Sequence, residues 1–373
     1  MRLYLVREML LKPLQQVIGI MERKQILPIL SNVLLSIENN QLSITGTDLE
    51  IELRGVEKLN KQDQKSCRLT LPGKKLMDIC RSLPEKASIE LTQDKERIVL
   101  RSGQSRFVLS TFPVDTFPTI EKMEYHLQLT MPQCVLYRLL QKTHFSMAYN
   151  DVRYYLNGLL LEIYTNKLRT VATDGHRLSI NTSEIENTVK SKLRIILPRK
   201  GITELLRLLT NKEDCIVLTI GNNHVRISTG DFVFTSKLIE GRFPDYERVI
   251  PKGGDKQIRI DRDLLKQAIN RMAILCNEKF RGIRFELRHR LLRISSYNIE
   301  QEMSEEEIEI DYIQNKELDI GLNVNYLLDI LRVVNRGNIT LTFSDANSGV
   351  LIAEDTTSMK RIDSSFVVMP MRL

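Results

Sequence analysis

The chain has 373 residues, with 54 Lys+Arg against 47 Asp+Glu, a formal charge of +7 and an isoelectric point near 9.0. It contains no run of about 18 apolar residues, which excludes a membrane-spanning helix. It has no Lys/Arg run of five or more, which excludes a basic tail as the route to a polyanion. The charge itself reads two ways, as a soluble protein of a basic proteome or as contact with a polyanion such as nucleic acid.

In chain order, MLLKPLQQV from Met9 has helical spacing, and NVLLSIENNQLSITGTDLEIEL from Asn32 reads as a hairpin of two β-rich runs about a polar turn. LPGKKLMDICRSL from Leu71 is a second helix, and IVLRSGQSRFVLST from Ile98 supplies further strands. The same order then recurs. CVLYRLLQK from Cys134, NGLLLEIYTNKLRTVATDGHRLSI from Asn157, LPRKGITELLRLL from Leu197 and VLTIGNNHVRISTGDFVFTSKL from Val217 form a second set. DLLKQAINRM from Asp263, RGIRFELRHRLLRISSYNIEQEM from Arg281, LNVNYLLDILRVV from Leu322 and ITLTFSDANSGVLIAE from Ile339 form a third.

The second helices are offset by 126 and then 125 residues, and Phe117-Pro118 and Phe243-Pro244 also lie 126 apart. Such a period is far longer than the roughly 20–50 residues of solenoid repeats, so it marks a domain-sized unit used three times. Boundaries fall near the Pro/Gly-containing stretches FPVDTFPTI and VIPKGGDK, giving domains 1–127, 128–252 and 253–373. Each unit can bury its own core. The fold class is α+β, helices segregated onto one face of antiparallel sheets.

In the second helices Leu76, Ile79, Cys80 and Leu83 make an i, i+3, i+4, i+7 apolar stripe, repeated by Ile202, Leu205, Leu206, Leu209 and by Leu327, Ile330, Leu331, Val334. Pro72 and Pro198 stand at helix starts, where a missing N–H costs nothing. The opposite face carries Lys74, Asp78, Arg81, then Lys200, Glu204, Arg207, then Asn325, Asp329, Arg332. It reads as i, i+3 ion pairing or as a repeating cationic track, with phosphate contacts that carry no sequence preference. Asn150, Tyr154 and Tyr155 in SMAYNDVRYYLNG add donors and flat rings.

Catalytic motifs are missing: GxxxxGK[ST], HExxH and GxSxG do not occur. His126, His144, His176, His224 and His289 include no i, i+4 pair. Cys67, Cys80, Cys134, Cys215 and Cys276 are odd in number without a CxxC, implying buried thiols in a reducing compartment, no zinc site and a cytoplasmic location. Asp174 and His176 in ATDGHRL read as an acid–base pair or as a tight turn; TGTDLE at the same place in the first repeat, with no histidine, favours the turn.

The third repeat carries an acidic block (Glu300, Glu302, Glu305, Glu306, Glu307, Glu309), and the first carries Lys75, Arg97, Arg101 and Arg106. Opposite patches on the first and last repeats suit a head-to-tail contact, which closes into a ring when the rotation permits. Phe107 and Leu109 on one side, and Ile274 and Leu275 on the other, would form its apolar centre, the charges setting orientation.

LLKPLQQV, LPILSNVLL, TGTDLE, FSMAYNDVRYYLNG, VATDGHRL, LPRKG, GDFVFTSKLIEGRFPDYERVIP, AILCNEKFRG and VVMPMRL together resemble the bacterial sliding-clamp family, the beta subunits of replicative DNA polymerase III. The resemblance implies a DNA-clamp fold, a head-to-tail homodimer encircling duplex DNA, and processivity without catalysis, cofactor or metal. It implies DNA contact by Lys24, Lys74, Asn150, Tyr154, Tyr155 and Lys200; Lys24 and Lys74 replace common arginines, and Asn150 a common glutamine. It implies a pocket where clamp-loader subunits, the replicative polymerase alpha subunit and other polymerases insert short hydrophobic motifs. The matching positions are Arg153, Leu156, Thr173, Gly175, His176, Arg177, Leu178, Pro244, Arg248, Val249, Val367, Met369, Pro370, Met371 and Arg372. Gly349 stands where a serine often lines that pocket, and a chain of charge +7 departs from a commonly acidic family.

Overall fold

The structure is a computed structural model that describes residues 2–372 except 22–26, 60–65, 121–123, 187–188, 190–191, 252, 315, 336 and 356–361. It is α+β: the described residues form six α-helices and 24 strands, all pairing antiparallel. The chain divides into two compact units, residues 1–134 with 203–238, and residues 135–202 with 239–373.

The first unit holds a four-stranded sheet in the order Arg2–Val6, Ser88–Asp94, Arg97–Ser102, Ser105–Ser110. Its eight-stranded sheet runs Cys67–Pro72, Asn32–Glu38, Gln41–Thr47, Ile51–Lys58, Phe232–Lys237, His224–Ser228, Cys215–Ile220, Leu127–Pro132. Asn39 and Asn40, both at positive φ (49° and 58°), close the first hairpin, because a two-residue turn matching strand twist needs that conformation. Helices α1 (Arg7–Val17) and α2 (Gly73–Ser82) pack on each other and α1 on the sheet. Pro13 lies inside α1, which survives because Leu10, Pro13, Leu14 and Val17 are all buried. Gly55 makes the approach possible: a Cβ there would lie 2.7 Å from Pro13 Cβ.

Helices α3 (Gln133–Gln141) and α4 (Arg199–Leu208) each contribute residues to both units. The second unit has an eight-stranded sheet, Leu193–Pro198, Gly158–Tyr164, Lys167–Thr173, Arg177–Glu184, Ile362–Val368, Val350–Glu354, Asn338–Phe343, Lys256–Asp261, and a four-stranded one, Met303–Glu309, Leu291–Tyr297, Gly282–Arg288, Leu318–Asn323. Helices α5 (Arg262–Met272) and α6 (Val324–Val333) pack together over a core that includes Leu265, Ile269, Phe285, Leu327, Leu331 and Phe366.

Pro72 ends a strand and caps α2 without a side-chain hydrogen bond, so the helix proper begins one residue later than a proline-at-N1 reading expects. In the copy without proline, Asn323 does the capping: its Oδ1 accepts from the backbone of Asn325 at 2.9 Å and Tyr326 at 3.3 Å. Each eight-stranded sheet joins four strands of one repeat to four of the next, at Ile51–Lys58 with Phe232–Lys237 and at Arg177–Glu184 with Ile362–Val368. Among the described residues the four-stranded sheets have no such continuation.

Candidate docking pocket and sheet edges

The segment 173–177 is built by its short polar side chains. Thr173 Oγ1 donates to the Arg177 carbonyl at 2.6 Å and accepts from Gly175 N at 3.1 Å; Asp174 Oδ1 accepts from His176 N and Arg177 N, each at 3.0 Å. The first repeat makes the same turn: Thr47 Oγ1 donates to Ile51 O at 2.9 Å, and Asp48 Oδ1 accepts from Glu50 N and Ile51 N at 2.9 and 2.7 Å. The Asp174 carboxylate is thus taken up by backbone and by Arg177 Nε at 2.9 Å, and the geometry favours the turn over an acid–base pair with His176. His176 serves through its carbonyl, which accepts from Met369 N at 2.8 Å. Gly175 has φ +90°, and a Cβ on it would stand 3.2 Å from Arg153 Nη2.

Beside this turn lies an apolar cluster of Leu160, Val171, Leu178, Ile180, Ile196, Phe243, Tyr246 and Val367, with Tyr155, Ile239, Ile250, Leu351 and Met369 packed against it. Of the fifteen positions matched to the family's pocket, Leu178, Val367 and Met369 belong to the cluster. Leu156 is buried, and its amide bonds to the Arg153 carbonyl at 2.8 Å. Pro244, Arg248 and Val249 are exposed on the segment that carries Phe243 and Tyr246; Pro370 and Met371 are half-buried and Arg372 is exposed. Gly349 is buried against the same floor, where a Cβ would lie 2.7 Å from Val367 Cγ1 and 3.2 Å from Met369 Sδ. Sequence reading takes Phe243 only as a repeat marker and passes over Tyr246, Ile239 and Ile250, although the i, i+3 spacing of the two aromatics in RFPDYERV carries the signal.

Arg177 points away from solvent into a set of fixed partners. It pairs with Asp174 and, through Nη1 at 2.7 Å, with Asp329 of α6; Nη2 donates to the Phe145 carbonyl at 2.6 Å, and the guanidinium lies 4.5 Å from the Tyr326 ring centroid. Arg153 forms a fork with Asp151 (2.9 and 3.0 Å), and those hydrogen bonds pull the Asp151 carboxyl down to about 2. Beneath the cluster, burial pushes the Glu162 carboxyl up, but hydrogen bonds from Tyr246 and Lys192 outweigh it and leave it below its usual range.

Among the positions matched to DNA contact, Lys24 lies outside the described residues. Lys74 is exposed on α2, Lys200 half-buried in α4, Asn150 exposed at φ +56° and Tyr154 exposed. Tyr155 meets Tyr154 edge-on, centroids 5.8 Å apart. The i, i+3 reading of the helix face holds in two copies, since Arg207 pairs with Glu204 at 2.8 Å and Arg332 with Asp329 at 2.8 Å. Arg207 also donates to the Gln15 carbonyl at 3.0 Å, at the end of α1.

Strand Ser105–Ser110 is an open edge of the first unit. Arg101 and Arg106 face each other across it, and Arg97, Lys75 and Val108 are exposed, while Phe107 is half-buried and Leu109 buried. Strand Met303–Glu309 is an open edge of the second unit. Exposed Ile274 and half-buried Leu275 lie in the turn after α5, and Tyr297, Ile299 and Met303, which sequence reading missed, add exposed apolar surface. Within the acidic block the carboxylates accept hydrogen bonds, Glu306 from Arg271 at 2.7 Å, Glu307 from Arg293 at 2.6 Å and Glu302 from Asn298 Nδ2 at 2.6 Å; Glu300 and Glu305 are exposed. Among the described residues no group of three His, Cys, Asp or Glu is placed to hold a metal, and no helix is long and apolar enough to cross a membrane.

Comparison with known proteins accounts for the whole chain. Family models of the DNA polymerase III beta subunit match residues 1–121 (N-terminal domain), 130–245 (central domain) and 247–372 (C-terminal domain). The beta sliding clamps of Pseudomonas putida and Escherichia coli K12 are 50% and 46% identical, covering 98% and 100% of both chains. The solved sliding clamp of Pseudomonas aeruginosa superposes with TM-score 0.95 at 48% identity over all of both chains, one of its structures being bound to griselimycin. A griselimycin-bound clamp from Bartonella birtlesii gives 0.93 at 32% identity, again over all of both chains. The chain belongs to the DNA polymerase III beta-subunit family, the bacterial sliding clamps.

Proposed function

We propose that the chain is a non-catalytic processivity clamp, two copies of which close head to tail around duplex DNA and tether the replicative polymerase. The observation that carries this reading is the pair of incomplete sheets. Ser105–Ser110 occupies the place in its repeat that Phe232–Lys237 occupies in the next, and Met303–Glu309 the place of Ile51–Lys58. Two copies pairing these edges would complete two further eight-stranded sheets in the same strand order as the existing ones and cover both of these edges. The facing Arg101 and Arg106 repel one another and suit Glu300 and Glu305 of a second copy, with Phe107 and Val108 against Ile274, Ile299 and Met303. The thirds 1–127, 128–252 and 253–373 are then the six domains of one ring.

Within that ring Lys24, Lys74, Asn150, Tyr154, Tyr155 and Lys200 contact the DNA backbone without sequence preference. Clamp-loader subunits, the polymerase alpha subunit and other polymerases dock short hydrophobic motifs on the cluster around Leu178, Val367 and Met369. The apolar floor and adaptable Met rim support that use. The test is a solution mass of twice 43.2 kDa together with retention on closed circular DNA and loss after linearisation. A monomer, or equal retention on both DNAs, overturns the clamp.

A further inference from the structure

A fully buried carboxylate lies beneath the docking cluster, and the docking reading leaves it without a role. Glu162 is on strand Gly158–Tyr164, and the register sets Arg169 and Arg194 opposite it on the two neighbouring strands. Arg194 Nε donates to Glu162 Oε1 at 2.7 Å, Lys192 Nζ lies 2.9 Å from the same oxygen, and Arg169 stands 3.8 Å from Oε2. The second oxygen accepts from the Tyr246 hydroxyl at 2.6 Å, and that hydroxyl in turn accepts from Arg169 at 3.1 Å. Tyr246 is 3% exposed, its ring in the apolar cluster and its oxygen in the ionic one.

Tyr246 also opens the turn Tyr246–Arg248, which carries the exposed wall of the cluster, Pro244 before it and Val249 after. The wall has few other ties. Its backbone bonds, Tyr246 N to Pro244 O and Val249 N to Tyr246 O, are internal, and Arg248 pairs with Asp245 of the same turn. Between 240 and 249, among the described residues, the polar links from wall to sheet are the Tyr246 hydroxyl and a 3.8 Å contact of Glu247 with Arg169.

We propose that Glu162 is a positioning residue for docking: through the Tyr246 hydroxyl it fixes where the 244–249 wall stands over the cluster, and so how tightly a hydrophobic ligand is held. This rests on the reading of that cluster as the docking pocket. Glu162 touches no ligand; it acts by holding a surface in its bound position beforehand, which lowers the ordering cost of binding.

Griselimycin, bound in the relatives' structures, is the probe, titrated calorimetrically into the full chain. Tyr246→Phe keeps the ring and removes the hydroxyl; Glu162→Gln keeps the volume and removes the charge. Each is expected to weaken binding about tenfold, mainly through faster dissociation. The double variant should lose about as much as either alone, because both act through one hydrogen bond. Glu354→Gln breaks the Lys142–Glu354 pair (2.7 Å), which is tied to the sheet through Ser364. It should lower Tm and leave affinity unchanged, which separates lost stability from lost positioning. If Met369→Ala abolishes binding while Tyr246→Phe and Glu162→Gln bind within twofold of wild type, the anchor is overturned and the pocket stands. Equal weakening by Glu354→Gln also overturns the anchor. If wild type and Met369→Ala bind alike, the pocket reading itself fails. Should Glu162→Gln not fold, Tyr246→Phe decides alone.

Discussion

Leu49 and Gly175 hold the same turn position in successive repeats, at φ +79° and +90°. The left-handed region costs an L residue about 1–2 kcal/mol, while glycine enters it freely at a larger entropy loss on folding. Leu49 is 41% exposed, so it recovers little of that cost by burial. Leu49→Gly should therefore stabilise the chain by up to about 1 kcal/mol, and Gly175→Ala should destabilise it by about 1–2 kcal/mol, both read from urea midpoints. A second contrast lies two residues on. Arg177→Met removes the cation shared by Asp174 and Asp329, leaving Asp329 its pairing with Arg332 and Asp174 its backbone hydrogen bonds, and should cost about 1–2 kcal/mol. His176→Ala, at an exposed ring, should change stability by less than about 0.5 kcal/mol. Equal effects from the two would contradict the partner assignment. The sequence offered both residues as one motif, VATDGHRL; it could not separate them, because the partners of Arg177 outside that motif, Phe145 and Asp329, lie 32 and 152 positions away.

At the scale of elements, the six helices and three hairpins were legible because their apolar positions repeat with helix or strand period and recur at a fixed offset. The strands before each first helix were not. Arg2–Val6, Leu127–Pro132 and Lys256–Asp261 are five or six residues long, and their alternation is lost beside the stronger helical signal. Equally hidden were the floor aromatics, whose burial depends on the 239–250 segment crossing a sheet laid down 80 residues earlier. Capping differs among copies in a way that can be measured. Asn323→Ala removes two hydrogen bonds to the start of α6 and should cost about 1 kcal/mol, whereas α2, capped by Pro72 without a side-chain bond, has nothing equivalent to lose. The loop that carries Tyr154 is tied by Asp151 and Arg153. Asp151 has a folded-state value of about 2, below its ordinary 3.8. The pairing therefore contributes fully above pH 4 and is lost as pH falls through about 2. NMR titration of the Asp151 carboxyl should show its midpoint near 2 in wild type and a return toward 3.8 in Arg153→Ala.

For the whole molecule, the charge of +7 makes salt the informative variable. A protein held on DNA by phosphate contacts loses about 10³–10⁵ in affinity between 50 and 200 mM salt when it makes six to ten of them. A closed ring is held by topology, and its escape from circular DNA needs an edge to open. The two modes therefore separate. Raising salt over that range should release the chain from linear duplex, while the fraction on closed circles persists. That persistence should depend on the apolar edge contacts, because exposed ion pairs such as Arg101 with a partner's acid contribute only about 0–1 kcal/mol each. Met303→Asp places a charge in the proposed apolar centre of each edge pairing. It should halve the solution mass and make release from circles as salt-sensitive as release from linear DNA, without lowering the Tm of the monomer, since Met303 is 65% exposed in the single chain. Retention of the Met303→Asp variant on circles at 200 mM salt would show that the edges 105–110 and 303–309 are not where the ring closes.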